Sequence, residues 1–169
     1  MLVTTKIYSY TRNVLYRWLF AWKQHTLLRR KILNVQNFKT ASRDSSDTLH
    51  TIDFVEGYSI ITRGRDLHGV VEVCIFEDYT CSFDIKPGMT IYDLGSCIGD
   101  FAILAAHRGA RVVAVEPDPQ NYEILVKNIQ RNNLGDKIIP LNIAIDTTSG
   151  WTGLDNSSTN TGGYTLSEH

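Results

Sequence analysis

The chain has 169 residues, 43% of them hydrophobic and 21% charged, with a formal net charge of −1 at pH 7. That is ordinary for a soluble globular protein, long enough for one domain with a real core and too short for two large ones. No run of roughly eighteen apolar residues is present, which excludes a spanning helix in this sequence, and charges interrupt the N-terminal apolar residues, unlike a signal peptide.

The small net charge conceals an asymmetry. Residues 1–43 carry Lys6, Arg12, Arg17, Lys23, Arg29, Arg30, Lys31, Lys39 and Arg43 and no acid, so every Asp and Glu lies from Asp44 onward. Within residues 1–39, read as a basic helical arm, Val14, Leu15, Trp18, Leu19 and Trp22 recur at helical spacing, and Leu28, Ile32 and Val35 continue the apolar face. Such a helix packs on the domain or a second subunit, or lies through residues 6–35 at an anionic membrane surface. Nucleic acid is excluded as a partner, because nothing supplies base readout and the main domain is acidic. Cytoplasmic residence is the default expectation, with peripheral membrane contact as its variant.

Residues 40–53 are polar and turn-rich, which predicts a linker before a domain over 54–169. Within 54–85, short β patterns fall at Tyr58–Thr62, Val70–Phe76 and Cys81–Ile85. Cys74, Cys81 and Cys97 lack metal-ligand spacing, so free thiols in a reducing compartment are expected and no metal site is predicted. His50 and His68 are lone histidines without a paired ligand.

Residues 86–146 carry the chemistry. Thr90 to Pro119 reads TIYDLGSCIGDFAILAAHRGARVVAVEPDP: an apolar strand, a glycine loop, a helix from Asp100, and a second strand ending at Glu116. Asp118 is placed to cap the next helix and Pro119 to fill its first position. Tyr122, Leu125, Val126 and Ile129 form its stripe, and Ile138 to Ile145 forms a third strand, which Pro140 makes an edge or an irregular start. The fold class is α/β, a Rossmann-like doubly wound parallel sheet. Residues 147–169 predict a short hairpin or mobile tail, with Trp151 and Leu154 on one strand and Tyr164 to Leu166 on the other.

Gly95 lets the chain turn sharply, and Gly99 lets backbone approach a ligand. The N–H groups opening the Asp100 helix can donate to a polar or anionic group. Glu116 stands where an acid accepts the two hydroxyls of an adenosine ribose. Cys97 occupies the middle glycine position of G-x-G-x-x-G, so a pyrophosphate would nestle less closely. The pattern D-x-G-x-x-x-G suits adenosine without pyrophosphate and disfavours an NAD-type oxidoreductase.

That spacing resembles the first motif of class I S-adenosylmethionine-dependent methyltransferases. KPGMTIYDLGSCIGDFAILAAHRGARVVAVEPDPQNYEILVKNIQRNNL is further similar to the FkbM family, departing from its pattern at Ser96 and Cys97. The resemblance implies S-adenosyl-L-methionine as cofactor, with Asp93 and Gly95 against its methionine end, Glu116 on its ribose, and Ser96, Gly99, Asp100 and Phe101 also among the cofactor-binding residues. Pro117 and Asp118 would border the adenine, joined by Asn142 and Ala144 in the loop after the third strand. Glu77, Asp78 and Tyr79 would fall near the cofactor or else form an exposed turn. It also implies O-methylation of a hydroxyl on a sugar, glycolipid or secondary metabolite. No residue is nominated as the base.

The later strands and the D-x-E-G-like motif of that family have no counterpart, so the methyltransferase core is incomplete. A truncated chain, an assembly in which another chain or a second copy covers the sheet edge, and a non-catalytic cofactor-binding remnant all remain open.

Overall fold

The computed structural model describes residues 30–80, 83–147, 149–150, 153–155 and 165–166. The predicted arm up to residue 29, Cys81, Trp151 and Tyr164 lie outside them.

Helix α1 (Val35–Ala41) starts at Asn34, whose side chain accepts from the Asn37 N–H. Strands β1 (Leu49–Asp53) and β2 (Ser59–Arg63) pair antiparallel, with Leu49 opposite Arg63 and Asp53 opposite Ser59. Strand β1 and α1 therefore occupy part of the stretches read as linker and arm. The polar composition misled because β1 buries chiefly Ile52. His50, read as lone, bonds Asp44 at 2.7 Å.

The run Val70–Phe76 is helical rather than extended. Helix α2 (Leu67–Val70) continues as a π-helical segment, Val71–Phe76, stopped at Glu77 by a left-handed backbone, φ 56°. Leu67, Val70, Val73 and Cys74 are all buried. Their three-to-four residue spacing is a helical face, and burying it outweighs the local extended preference of β-branched side chains. Residues 83–85 form no strand either.

The core sheet consists of β3 (Thr90–Leu94), β4 (Arg111–Val115) and β5 (Ile138–Leu141), parallel and in that order. Helix α3 (Asp100–His107) connects β3 to β4, and α4 (Pro119–Arg131) connects β4 to β5. Asp118 caps α4 by accepting from the Asn121 N–H at 2.8 Å, and Pro119 opens it. Right-handed crossovers put both helices on one face of the sheet, the Rossmann-like arrangement. Val112, Ala114 and Ile138 are buried on that face. On the other, Tyr92, Leu94 and Ile139 are 69%, 60% and 60% exposed, so among the described residues the sheet is wound on one side. Pro140 sits on an edge strand, where its missing N–H costs no ladder bond. Strands β6 (Leu154–Asp155) and β7 (Thr165–Leu166) make a separate antiparallel pair.

Two asparagines join the β1–β2 hairpin to this core. Asn132 accepts from Ser59 N at 2.8 Å and donates to Ser59 O at 2.8 Å. Asn128 does the same for Ile61, at 2.6 and 3.0 Å. Two side-chain amides one helical turn apart thus satisfy the outer edge of β2 as a strand would. Asn121, Ile124, Leu125, Asn128 and Ile129 form the buried face of α4, while Tyr122 and Val126 of the predicted stripe are half-buried.

Candidate cofactor site

The glycine loop and the acid meet at the carboxyl ends of β3 and β4. Gly95 turns with φ 82°, and its N–H and that of Ser96 both donate to Val115 O, at 2.8 and 2.9 Å. This folds the loop over the tip of β4, immediately before Glu116. Cys97, also left-handed at φ 48°, donates its N–H to Glu116 Oε2 at 2.7 Å. Glu116 Oε1 accepts from Asp118 N at 3.0 Å and from Asn121 Nδ2 at 3.4 Å. Asn142, exposed after β5, donates to Glu116 O and Pro117 O at 2.8 and 3.1 Å. Gly95, Ser96, Glu116, Pro117, Asp118 and Asn142 therefore come together at the strand ends. Ala144 is exposed, and among the described residues no hydrogen bond ties it to that group.

A Cβ on Gly95 would enter open space, so its glycine serves the turn. Gly99, φ 82°, is different: a Cβ there would lie 2.3 Å from Leu125 Cδ1. Its missing side chain admits α4 against α3, which is a packing reason rather than an approach to ligand. Phe101 is buried in α3, and its ring meets that of Tyr79 edge-on at 5.6 Å. Asp100 Oδ1 accepts from Phe101 N at 2.9 Å, and the Asp100 carbonyl faces Cys74 Sγ at 3.9 Å. Tyr79 thus joins the helix start. Glu77 pairs instead with Lys31 and with Arg108 beyond the far end of α3, which pulls its carboxyl down to about 2.

The electrostatics are those of clustered, buried carboxyls. Burial, reinforced by Asp100 and Glu116, pushes the Asp93 carboxyl up to about 7. Burial likewise raises Asp100 to about 6 and the Cys97 thiol to about 12, so Cys97 is an unreactive thiol. Glu116 is raised by burial, against the pull of its Asp118, Cys97 and Asn121 donors. Asp93 Oδ2 and Ser96 Oγ are buried without a hydrogen-bond partner among the described residues. Unsatisfied acceptors beside a glycine turn fit a ligand that brings N–H or O–H donors, such as an ammonium or a ribose. Among the described residues, no group of three or more His, Cys, Asp and Glu is placed to hold a metal ion.

Residues that sequence spacing did not single out complete the surroundings. Arg63, Asp66 and Asn121 are buried behind Glu116, and Asn128 Nδ2 donates to Ile98 O of the loop at 2.8 Å. The available signal was asparagine at 121 and 128 within the apolar register of α4.

Comparison with known proteins gives this geometry a context. Residues 74–150 match the family model of the TRM5/TYW2 methyltransferase domain. The chain is 33% identical over 75 residues to ribosomal protein L11 methyltransferase of Desulfitobacterium hafniense, covering 44% of this chain and 23% of that protein. It is 36% identical over 78 residues to the same enzyme of Pelotomaculum thermopropionicum, covering 44% and 24%. The chain thus spans about a quarter of the length of the curated relatives it matches. Among solved structures, it is similar to the tRNA m1G37 methyltransferase of M. jannaschii (TM-score 0.42, 21% identity, 57% of this chain and 29% of that one). It is also similar to P. horikoshii TYW2 in complex with MeSAdo (0.42, 22%, 59% and 37%) and to aTrm5 in complex with tRNALeu (0.42, 22%, 58% and 28%).

Two expectations are corrected by these matches. The FkbM resemblance and its sugar or metabolite O-methylation do not stand, because the matching family model and relatives are of another kind. The exclusion of nucleic acid does not stand either, since the family model matched over residues 74–150 is that of the TRM5/TYW2 methyltransferase domain. Net charge alone does not identify an acceptor. Over residues 74–150 the chain is similar to the TRM5/TYW2 methyltransferase domain.

Proposed function

We propose that this chain carries the S-adenosylmethionine-binding half of a methyltransferase whose acceptor is a macromolecule, tRNA or a ribosomal protein, rather than a small hydroxyl compound. One observation carries the cofactor half: the glycine turn and the Glu116 carboxylate close on each other through the 2.7 Å Cys97 bond, beside the unsatisfied Asp93 and Ser96. The acceptor class is supported by the names of the matching family and relatives.

The cofactor, when bound, supplies a methyl group activated on a sulfonium. Glu116 would hold the ribose hydroxyls and Asp93 would take the amino group at the methionine end. Ser96 and the loop N–H groups line the turn, and Pro117, Asp118 and Asn142 shape the adenine border. No proton transfer is assigned to a residue of this chain, and the acceptor is positioned by elements outside the described residues.

Titration calorimetry with S-adenosylhomocysteine, S-adenosylmethionine and NAD tests the reading. Saturable binding of the first two is expected, and binding of NAD alone overturns it. The Glu116→Ala substitution is expected to weaken S-adenosylhomocysteine by about 1–3 kcal/mol, the cost of losing charged hydrogen bonds. Unchanged affinity removes Glu116 from the site. A second reading is a binding module without its own turnover. Cofactor binding with no methyl transfer to tRNA or to ribosomal protein L11 would select it.

A further inference from the structure

We propose that Arg63 is a positioning residue for the Glu116 carboxylate and acts on it through the side-chain amide of Asn121. The inference rests on the adenosyl-site reading and adds a control of that site from the β1–β2 hairpin.

Arg63 ends β2 with a side chain only 4% exposed. Its Nε donates to Asp66 Oδ2, and its Nη2 donates to Asn121 Oδ1. Asn121 is fully buried in the first turn of α4, where its Nδ2 donates to Glu116 Oε1 at 3.4 Å. The amide oxygen thus faces the guanidinium and the amide nitrogen faces the carboxylate. An amide in that orientation passes the influence of a buried cation to an acid it does not touch. Glu116 is consequently gripped by donors from three directions: the glycine loop through Cys97 N, the turn into α4 through Asp118 N, and the hairpin through Asn121.

The arrangement exceeds what packing needs. The Arg63–Asp66 pair already closes the short helical turn after β2, and the Asn121 N–H already caps α4 on Asp118. Neither requires the Asn121 side chain to bridge. The groups facing Glu116 are otherwise acidic or neutral: Asp93 from β3, Cys97 from the loop and Asp118 from the cap. Two neighbouring acids oppose ionisation of Glu116, and Arg63 is the cation that the network brings to bear on it.

The test uses the full chain with Asn121→Ala, which keeps the backbone cap and the Arg63–Asp66 pair. Arg63→Lys is the second variant, since a point ammonium cannot serve both partners with the geometry of a guanidinium fork. Carboxyl carbon NMR, with the Glu116 signal assigned through Glu116→Gln, follows that titration in the free protein. Calorimetry follows S-adenosylhomocysteine between pH 5.5 and 8. Asn121→Ala is expected to raise the Glu116 pKa by about one unit, because a hydrogen bond to its charged form is lost. Affinity at pH 7 should fall about five- to tenfold, with the acid limb of binding moved to higher pH, and Arg63→Lys should shift both in the same direction. An unmoved titration and acid limb in folded Asn121→Ala overturn the relay while leaving the cofactor site intact. Absence of S-adenosylhomocysteine binding by the natural chain overturns the site reading itself.

Discussion

Asp93 is the residue whose chemistry departs furthest from its type in a testable way. It lies on the packed face of β3, opposite Ala114 in register, where burial and two neighbouring acids hold its carboxyl near 7 instead of the usual 3.8. Its folded pKa is raised, so between about pH 4 and pH 7 the folded chain binds more protons than the unfolded one. The stability it contributes is complete below about pH 4 and is lost as pH rises through 7. Asp93→Asn is therefore expected to match the natural chain near pH 4 and exceed it by about 4 kcal/mol at pH 8, read by denaturant unfolding. Asp100 acts in the same direction at lower pH, and Glu77 in the opposite one, stabilising above its ordinary range and failing as pH drops toward 2. An Asn variant no more stable at pH 8 would show that Asp93 is ionised at little cost. An acid at this position was legible from the D-x-G spacing; its burial was not, because burial depends on α3 lying across the strand.

At the scale of elements, the two loop glycines separate cleanly. Both have φ 82°, so alanine at either meets the left-handed penalty of about 1–2 kcal/mol. Only Gly99 also has a neighbour in the way, Leu125, which is fully buried and cannot move freely. Gly99→Ala is expected to cost on the order of 2–4 kcal/mol and Gly95→Ala about 1–2, compared by thermal and denaturant unfolding. Adding Leu125→Val to Gly99→Ala should recover part of the loss, a coupling that strictly additive effects would disprove. Helix α4 was legible in outline from Asp118, Pro119 and the apolar repeat. Its burial of Asn121 and Asn128 was not, because asparagine satisfies its own hydrogen bonds wherever a strand edge meets it.

For the molecule as a whole, the sheet presents two unlike faces, and neighbouring isoleucines report them. Ile138 is buried under the helices, whereas Ile139 is 60% exposed on the other side. Ile138→Ala should cost about 2–4 kcal/mol, while Ile139→Thr should stay within about 0.5 kcal/mol, again by denaturant unfolding. Equal costs would mean that something covers the second face in solution. The run Ile138-Ile139-Pro140-Leu141 predicts a strand, yet its apolar side chains give no hint of which face is covered.

Local spacing alone determined the alternation of strands and helices from Thr90 to Leu141, the left-handed turn at Gly95 and the acid at the end of the second strand. Each depends on backbone preference and periodicity within a few residues. Only the tertiary structure decided that Val70–Phe76 is helical, that Gly99 makes room for Leu125, and that Arg63 reaches Glu116 through Asn121. Those outcomes join residues up to 58 positions apart, and a chain's local pattern says which side chains seek burial without naming what will bury them.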